Sequence, residues 1–312
     1  MTTALATPTT QTWQWQGFSI RYQRIGTTGT PVLCIHGFGA SSDHWRKNLP
    51  AFGEQYQAYA IDLLGFGLSD KPAPNAPLAY TFETWGQQIL DFCREVIGQP
   101  AYLVANSIGC IVALQAAVDG AAVDGASGDG EGWVKGVVML NCSIRLLHER
   151  RRAEIPWHQR LSTPIVQNLL GYAPAGRFFF SRIAQRKVIR NLLGQAYHRP
   201  EAVTDELIEA ILAPALTPGA ADVFLAFVRY SQGPLPEDLL PLAPCPVWII
   251  WGQDDPWEPV ALGRKLADFP AVRAMEELPG VGHCPQDEAP ELVNPLVLGW
   301  LGEAESAGEC SS

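Results

Sequence analysis

Tyr102-Leu103-Val104-Ala105-Asn106-Ser107-Ile108-Gly109-Cys110 leads from a short apolar, strand-like run through a serine among small residues into a helix-like stretch reaching Val118. A serine at the tip of a strand-to-helix turn, with small residues two positions to either side, is the sequence form of a nucleophile elbow. The small neighbours let the backbone bend sharply and expose the hydroxyl above a parallel sheet. The usual spacing is G-x-S-x-G, and here Ala105 stands where the first glycine normally sits. Ser107 is the candidate nucleophile, and the rest of the chain must supply its partners.

A serine hydroxyl is a weak nucleophile near neutral pH. It needs a neutral imidazole to take its proton and a carboxylate to hold that imidazole in the right tautomer. The elbow logic puts these in the chain order Ser, Asp, His, the acid after a late strand and the histidine on a later loop. The apolar run Pro246 to Trp251 ends in Gly252-Gln253-Asp254-Asp255-Pro256, and Gly280-Val281-Gly282-His283 follows the short run Ala274 to Leu278. His283 is the base candidate. Asp255, three residues past Gly252, is the favoured acid, with Asp254 and Glu258 as alternatives. Two backbone amides must also receive the oxyanion. Val32 to Ile35 reads as an early strand and His36-Gly37-Phe38-Gly39 as its loop, which assigns the donors to Phe38 and Ile108.

These residues resemble the α/β-hydrolase superfamily from about Gly17 to Leu301. His36-Gly37-Phe38-Gly39 matches its HG motif, and Asp62-Leu63-Leu64-Gly65-Phe66-Gly67-Leu68-Ser69 its D-x-x-G-x-G-x-S segment. Members with an aspartate nucleophile, such as haloalkane dehalogenases and epoxide hydrolases, are disfavoured by the serine at 107. A narrower resemblance rests on Gly233-Pro234-Leu235-Pro236-Glu237, Trp251-Gly252-Gln253-Asp254-Asp255-Pro256-Trp257 and Gly282-His283-Cys284-Pro285-Gln286-Asp287-Glu288-Ala289-Pro290-Glu291. This set is similar to the pheophytinase and chlorophyll dephytylase group of plants and cyanobacteria. That resemblance implies a serine esterase that removes phytol from chlorophyll-type pigments, with no cofactor.

The 312 residues, 47% hydrophobic and 17% charged, could build one large α/β domain with an insertion, or two domains on length alone. Strand-like and helix-like runs alternate, which predicts a mostly parallel sheet covered by helices on both faces. An opening hairpin over Trp13 to Tyr22 precedes strands at Val32 to Ile35, Ala58 to Ile61, Tyr102 to Ala105, Val134 to Leu140, Val247 to Trp251 and Ala274 to Leu278. Helices are expected at Phe82 to Ile97, Cys110 to Val118, Val260 to Ala267 and Glu291 to Trp300. Asp119 to Gly132, rich in Gly, Ala and Asp, reads as a flexible surface loop. The expected organisation is a core over 1–142 and 246–302, a helical cap over 143–245 and a flexible tail over 303–312. No apolar run reaches the roughly 18 residues of a spanning helix. Met1 to Gln11 lacks the features of a secretory signal, so the expected location is cytoplasmic or peripheral to a thylakoid-type membrane.

Seven cysteines, with no C-x-x-C pair or zinc-like histidine spacing, read as buried thiols; Cys110 and Cys284 flank active-site positions. Histidines 44, 148, 158 and 198 have no motif partner, and His36 is expected to shape the oxyanion loop. The charge is unevenly spread. Arg145 to Arg199 holds eleven Lys or Arg against Glu149 and Glu154, a balance of +9 within a total of −10, so the remainder carries −19. Trp157, Tyr172, Phe178, Phe179, Phe180 and Tyr197 lie among these charges. Two readings are open: a surface that rests on anionic lipid, or a cap whose arginines pair with acids elsewhere while its phenylalanines fill its own core. Nucleic acid is disfavoured as a partner by the acidity of the remainder.

The expected function is therefore Ser-His-Asp acyl transfer on a hydrophobic ester, with the phytyl ester of chlorophyll or pheophytin as the implied substrate. A generic carboxylesterase or lipase, a carbon-carbon bond hydrolase and a ligand receptor on the same fold are the alternatives, since fold alone does not fix function.

Overall fold

The computed structural model describes residues 7–74, 77–127, 132–145, 148–151 and 173–309. Eight strands form one sheet: β1 Thr9–Trp15, β2 Phe18–Ile25, β3 Pro31–Ile35, β4 Gln57–Ile61, β5 Ala101–Asn106, β6 Val134–Leu140, β7 Val247–Gly252 and β8 Val272–Leu278. Their spatial order is β1-β2-β4-β3-β5-β6-β7-β8. The opening hairpin pairs antiparallel and β2 runs antiparallel to β4, while β4, β3, β5, β6, β7 and β8 are parallel. This is the α/β-hydrolase fold that the motifs implied.

Buried parallel strands show apolar side chains on both faces, and β3, β5 and β7 are buried throughout. Their alternation divides two cores. Leu33, Ile35, Leu103, Ala105, Ile249 and Trp251 face one layer with Phe82, Trp85 and Ile111. Val32, Cys34, Tyr102, Val104, Trp248 and Ile250 face the other with Trp45, Phe52 and Val293. Among the described residues, the helices of ten residues or more are α1 Phe82–Phe92, α2 Ile108–Ser127, α3 Ala173–Ile183, α4 Arg186–Ala196, α5 Asp205–Ala215, α6 Ala220–Arg229 and α7 Pro290–Glu309. On α7, Val293, Val297 and Leu301 recur every four residues and are fully buried. Truncating Leu301 to alanine would cost about 2–5 kcal/mol through lost burial and the cavity left behind.

Several boundaries differ from expectation. Residues 119–127 are not a loop: α2 runs on through them to Ser127, and 128–131 lie outside the described residues. Glycine served there as a loop signal, yet a Cβ at Gly120 would sit 3.0 Å from Leu90 Cδ2, and one at Gly86 would sit 2.8 Å from Gln115 Cγ. These glycines let α1 and α2 pack closely, and a helix already formed over 108–118 extends at little cost. The stretch 303–309 continues α7 instead of starting a tail, since Glu303, Ala304, Glu305 and Ala307 are good helix formers. The helix expected to Ile97 gives way at Cys93 to a wider turn closed by Gly98 at φ 76°. The one expected over 260–267 breaks at Gly263, where a Cβ would meet the Trp251 ring at 2.6 Å.

Between β6 and β7 the described chain contributes α3 to α6, where the sequence placed a cap. Its basic half pairs with acids that follow it in sequence. Arg150 reaches Asp238, Arg151 reaches Glu237, Arg177 reaches Asp222 at 2.9 Å, Arg186 and Arg190 reach Asp205, and Arg199 reaches Glu291 at 2.6 Å. Among the described residues, six of these cations are thus matched by acids elsewhere in the fold. The phenylalanines divide: Phe180 packs 5.2 Å from Phe224, whereas Phe178 is 62% exposed with Arg182 stacked on it. Glu154, Trp157, His158 and Tyr172 lie outside the described residues. No single helix among the described residues is long and apolar enough to cross a membrane.

Candidate active site

β5 ends at Asn106 and α2 begins at Ile108, leaving Ser107 alone on the turn with φ 55°. A left-handed backbone at a non-glycine residue costs on the order of 1 kcal/mol or more, and it persists only where the surroundings enforce it. Here the Ser107 amide donates to the Leu140 carbonyl at 3.0 Å, and Ser143 N–H donates to the Ser107 carbonyl at 3.2 Å. The two small positions of the pentapeptide are not equivalent. Ala105 lies inside β5, fully buried, so its methyl simply joins the core. At Gly109 a Cβ would approach the carbonyl oxygens of Ile35 and His36 to 2.7 Å, which only glycine avoids.

The carboxylate alternatives separate by geometry. Asp255 Oδ2 lies 2.7 Å from His283 Nδ1, and its Oδ1 accepts from the Trp257 and Glu258 amides at 2.8 and 3.0 Å. Burial would raise the Asp255 pKa, but the bond and charge of His283, with Asn141 and the Glu258 amide, outweigh it and hold the carboxyl below its usual value. Asp254 turns outward to Gly280 N at 2.9 Å. Glu258 turns to Ser143 Oγ and Ile144 N. An imidazole whose Nδ1–H is held by a carboxylate presents Nε2 as the acceptor. Trp257 packs over His283 with ring centroids 5.0 Å apart.

Ser107 and His283 line one cavity of about 460 Å³, together with Phe38 and Ile108. In this conformation no hydrogen bond joins Ser107 Oγ to His283; such contacts often tighten only when substrate binds. Ile108 opens α2, so its amide has no partner within the helix. Gly37 brings the β3 loop against Ser107: a Cβ there would sit 3.1 Å from Ser107 Cβ. Helices α3 to α6 line the cavity with Phe180, Ile183, Leu192, Leu193, Ile211 and Phe224, making it strongly apolar.

Two asparagines were not singled out from sequence. Asn106 Nδ2 donates to the carbonyls of Leu140 and His283, each at 3.1 Å, tying the histidine loop to the elbow. Asn141, at φ 42°, donates to Asp255 Oδ2 at 2.7 Å. A polar residue directly after a buried strand was the available signal, but it is shared by ordinary loops. His36 has the shaping role expected: Nδ1 bonds the Gly37 carbonyl at 2.7 Å and Nε2 accepts from Leu63 N at 3.1 Å. His44 is buried against the cavity, bonded to Tyr197 Oη at 2.8 Å, and burial pushes its pKa down to about 4.

The alpha/beta hydrolase family profile matches residues 32–296, and the chain belongs to that family of hydrolases. Among curated relatives it is similar to the chloroplastic pheophytinase of Arabidopsis thaliana, 27% identical over 93% of this chain and 65% of the relative, so it spans just under two thirds of that protein. It is also similar to the uncharacterized hydrolase YugF of Bacillus subtilis, 25% identical over 91% of this chain and 95% of the relative. Among solved structures, a membrane phospholipase A shares the fold with a TM-score of 0.72 at 20% identity, over 96% of this chain and 88% of that one.

Proposed function

We propose that this hydrolase is a serine esterase acting on a bulky, hydrophobic carboxylic ester, with the phytyl ester of a chlorophyll-type pigment as the preferred class. The observation that carries the reading is Ser107 at φ 55° on its strand-to-helix turn, sharing an apolar cavity with the Asp255-bound His283. Ser107 Oγ attacks the ester carbonyl while its proton passes to His283 Nε2, and the Phe38 and Ile108 amides receive the developing oxyanion. Collapse of that intermediate expels the alcohol, which takes the proton from His283. Water then attacks the acyl-enzyme, giving its proton to His283, and the acid leaves as the proton returns to Ser107. The aliphatic and aromatic cap residues suit a long terpenoid or acyl arm, and the likeness to the plant pheophytinase supports the pigment class.

A fluorophosphonate probe should label the wild-type protein and leave Ser107→Ala unlabelled, with folding intact; labelling of the mutant would remove Ser107 from its role. Incubation with chlorophyll a, pheophytin a and a short p-nitrophenyl ester resolves the substrate. Release of phytol is the expected result, and turnover of the short ester alone would overturn the pigment assignment.

A further inference from the structure

The cavity above Ser107 is apolar almost throughout, yet a carboxyl group stands in its wall. Glu258 lines it, only 8% exposed, on the loop that also carries Asp255. Its Oε1 accepts from Ser143 Oγ at 2.9 Å and its Oε2 from Ile144 N at 3.2 Å. Among the described residues no lysine or arginine pairs with it. Ser143 lines the same cavity, and its own amide is bonded to the Ser107 carbonyl at 3.2 Å, so the pair sits beside the nucleophile's backbone.

A buried carboxyl without a cationic partner is costly, and a neutral amide could stand in its place by accepting from Ile144 N–H and donating to Ser143 Oγ. Each carboxyl oxygen accepts one hydrogen bond and keeps capacity for another. The group therefore has unused polar capacity in a pocket whose wall, apart from the groups around Ser107 and His44, is mostly hydrocarbon.

We propose that Glu258, steadied by Ser143, is the specificity point of this pocket, taking a hydrogen-bonding oxygen of the substrate, a ketone, hydroxyl or second ester, near the scissile bond. Burial pushes the Glu258 pKa up to about 7, so near neutrality it is able to donate an O–H to such an oxygen. The titratable groups around it are His283 and Asp255 on the catalytic side and Cys142 beneath it. A substrate lacking the oxygen leaves this polar group facing hydrocarbon, which is how a buried site rejects an otherwise isosteric ligand. The inference rests on the esterase reading.

The test uses esters matched in length, such as p-nitrophenyl hexanoate against p-nitrophenyl 5-oxohexanoate, and a second pair with the ketone in the alcohol arm. The ketone member of at least one pair should be preferred about tenfold in kcat/KM. Glu258→Leu should collapse that ratio toward one. Glu258→Gln, which retains hydrogen-bonding capacity toward Ser143 and Ile144, should keep the preference and remove its decline above pH 7. Ser143→Ala should lower the ratio in the same direction. Equal losses on both members of each pair, or no preference in the wild type, would overturn the proposal. Calorimetric binding of the same esters to Ser107→Ala separates the two readings. A Glu258-dependent preference in binding without turnover by the wild type sustains this inference while the esterase reading falls. Turnover and probe labelling without any preference removes this inference alone.

Discussion

Asn141 and His283 share one oxygen of Asp255: the Asn141 amide donates to Asp255 Oδ2 at 2.7 Å, the same distance at which His283 Nδ1 meets that atom. Asn141 also accepts from Gly252 N at 2.9 Å through its own Oδ1. One side chain thus joins the ends of β6 and β7 and fixes the carboxylate that fixes the imidazole. Asn141→Ala is expected to lower kcat about ten- to a hundredfold with a smaller change in KM, by analogy with the cost of disturbing groups behind a ligating or catalytic histidine. Unfolding in urea should show a loss of about 1–3 kcal/mol, because the Gly252 amide is left unsatisfied. A kcat equal to wild type would show that Asp255 needs no such support.

The two small elbow positions, Ala105 and Gly109, give a second prediction. Ala105→Gly should leave activity near wild type and cost about 1 kcal/mol, since it adds backbone freedom and removes a buried methyl. Gly109→Ala drives a methyl into the carbonyls of Ile35 and His36 and should abolish turnover or folding. Thermal melts and probe labelling of the two variants compare them directly, and a tolerated Gly109→Ala would contradict the geometry.

Stability should respond to pH through Glu258. Its pKa is about 7 when folded against an ordinary 4.5, so the native state holds its proton more tightly than the unfolded chain. The sign follows: this group's stabilising contribution is complete below pH 4.5 and is lost as pH rises through 7. The full difference is roughly 3 kcal/mol. Glu258→Gln removes that slope, so its stability relative to wild type should rise between pH 5 and 8, measured by denaturant unfolding at each pH. A difference independent of pH would mean that the carboxyl ionises freely in the fold.

Where α4 ends, Tyr197 ties the helices between β6 and β7 to the rest of the fold. Its hydroxyl bonds His44 Nε2 at 2.8 Å and donates to Asp287 Oδ2 at 2.9 Å, while Asp287 also pairs with Arg46 at 2.9 Å. Tyr197→Phe leaves two buried groups without that partner, at a cost of about 1–3 kcal/mol. Limited proteolysis should cut the 173–229 region of the variant faster than that of the wild type. Identical digestion rates would show that the hydroxyl does not hold the cap.

Much of the core was legible because its strands are short, wholly apolar and separated by turn residues, as at Val32 to Ile35 and Val247 to Trp251. Glycine misled in both directions: Gly120 was read as part of a loop but lies within α2 close to Leu90, whereas the expected helix ran through Gly263, where the chain breaks against the Trp251 ring. The cap's charge balance was visible as a count over 145–199, but its ion pairs join Arg177 to Asp222 and Arg199 to Glu291, partners dozens of residues away.

The sequence by itself determined the alternation of strands and helices, the serine on its turn and the histidine after the last strand, since these depend on local bending, hydrophobic period and chain order. Only the tertiary structure decided which of Asp254, Asp255 and Glu258 meets His283, because three carboxylates on one short loop differ in direction and not in chemistry. It likewise decided the roles of Asn106 and Asn141: an amide's partner is fixed by where strand ends converge, and that convergence is a property of the assembled sheet.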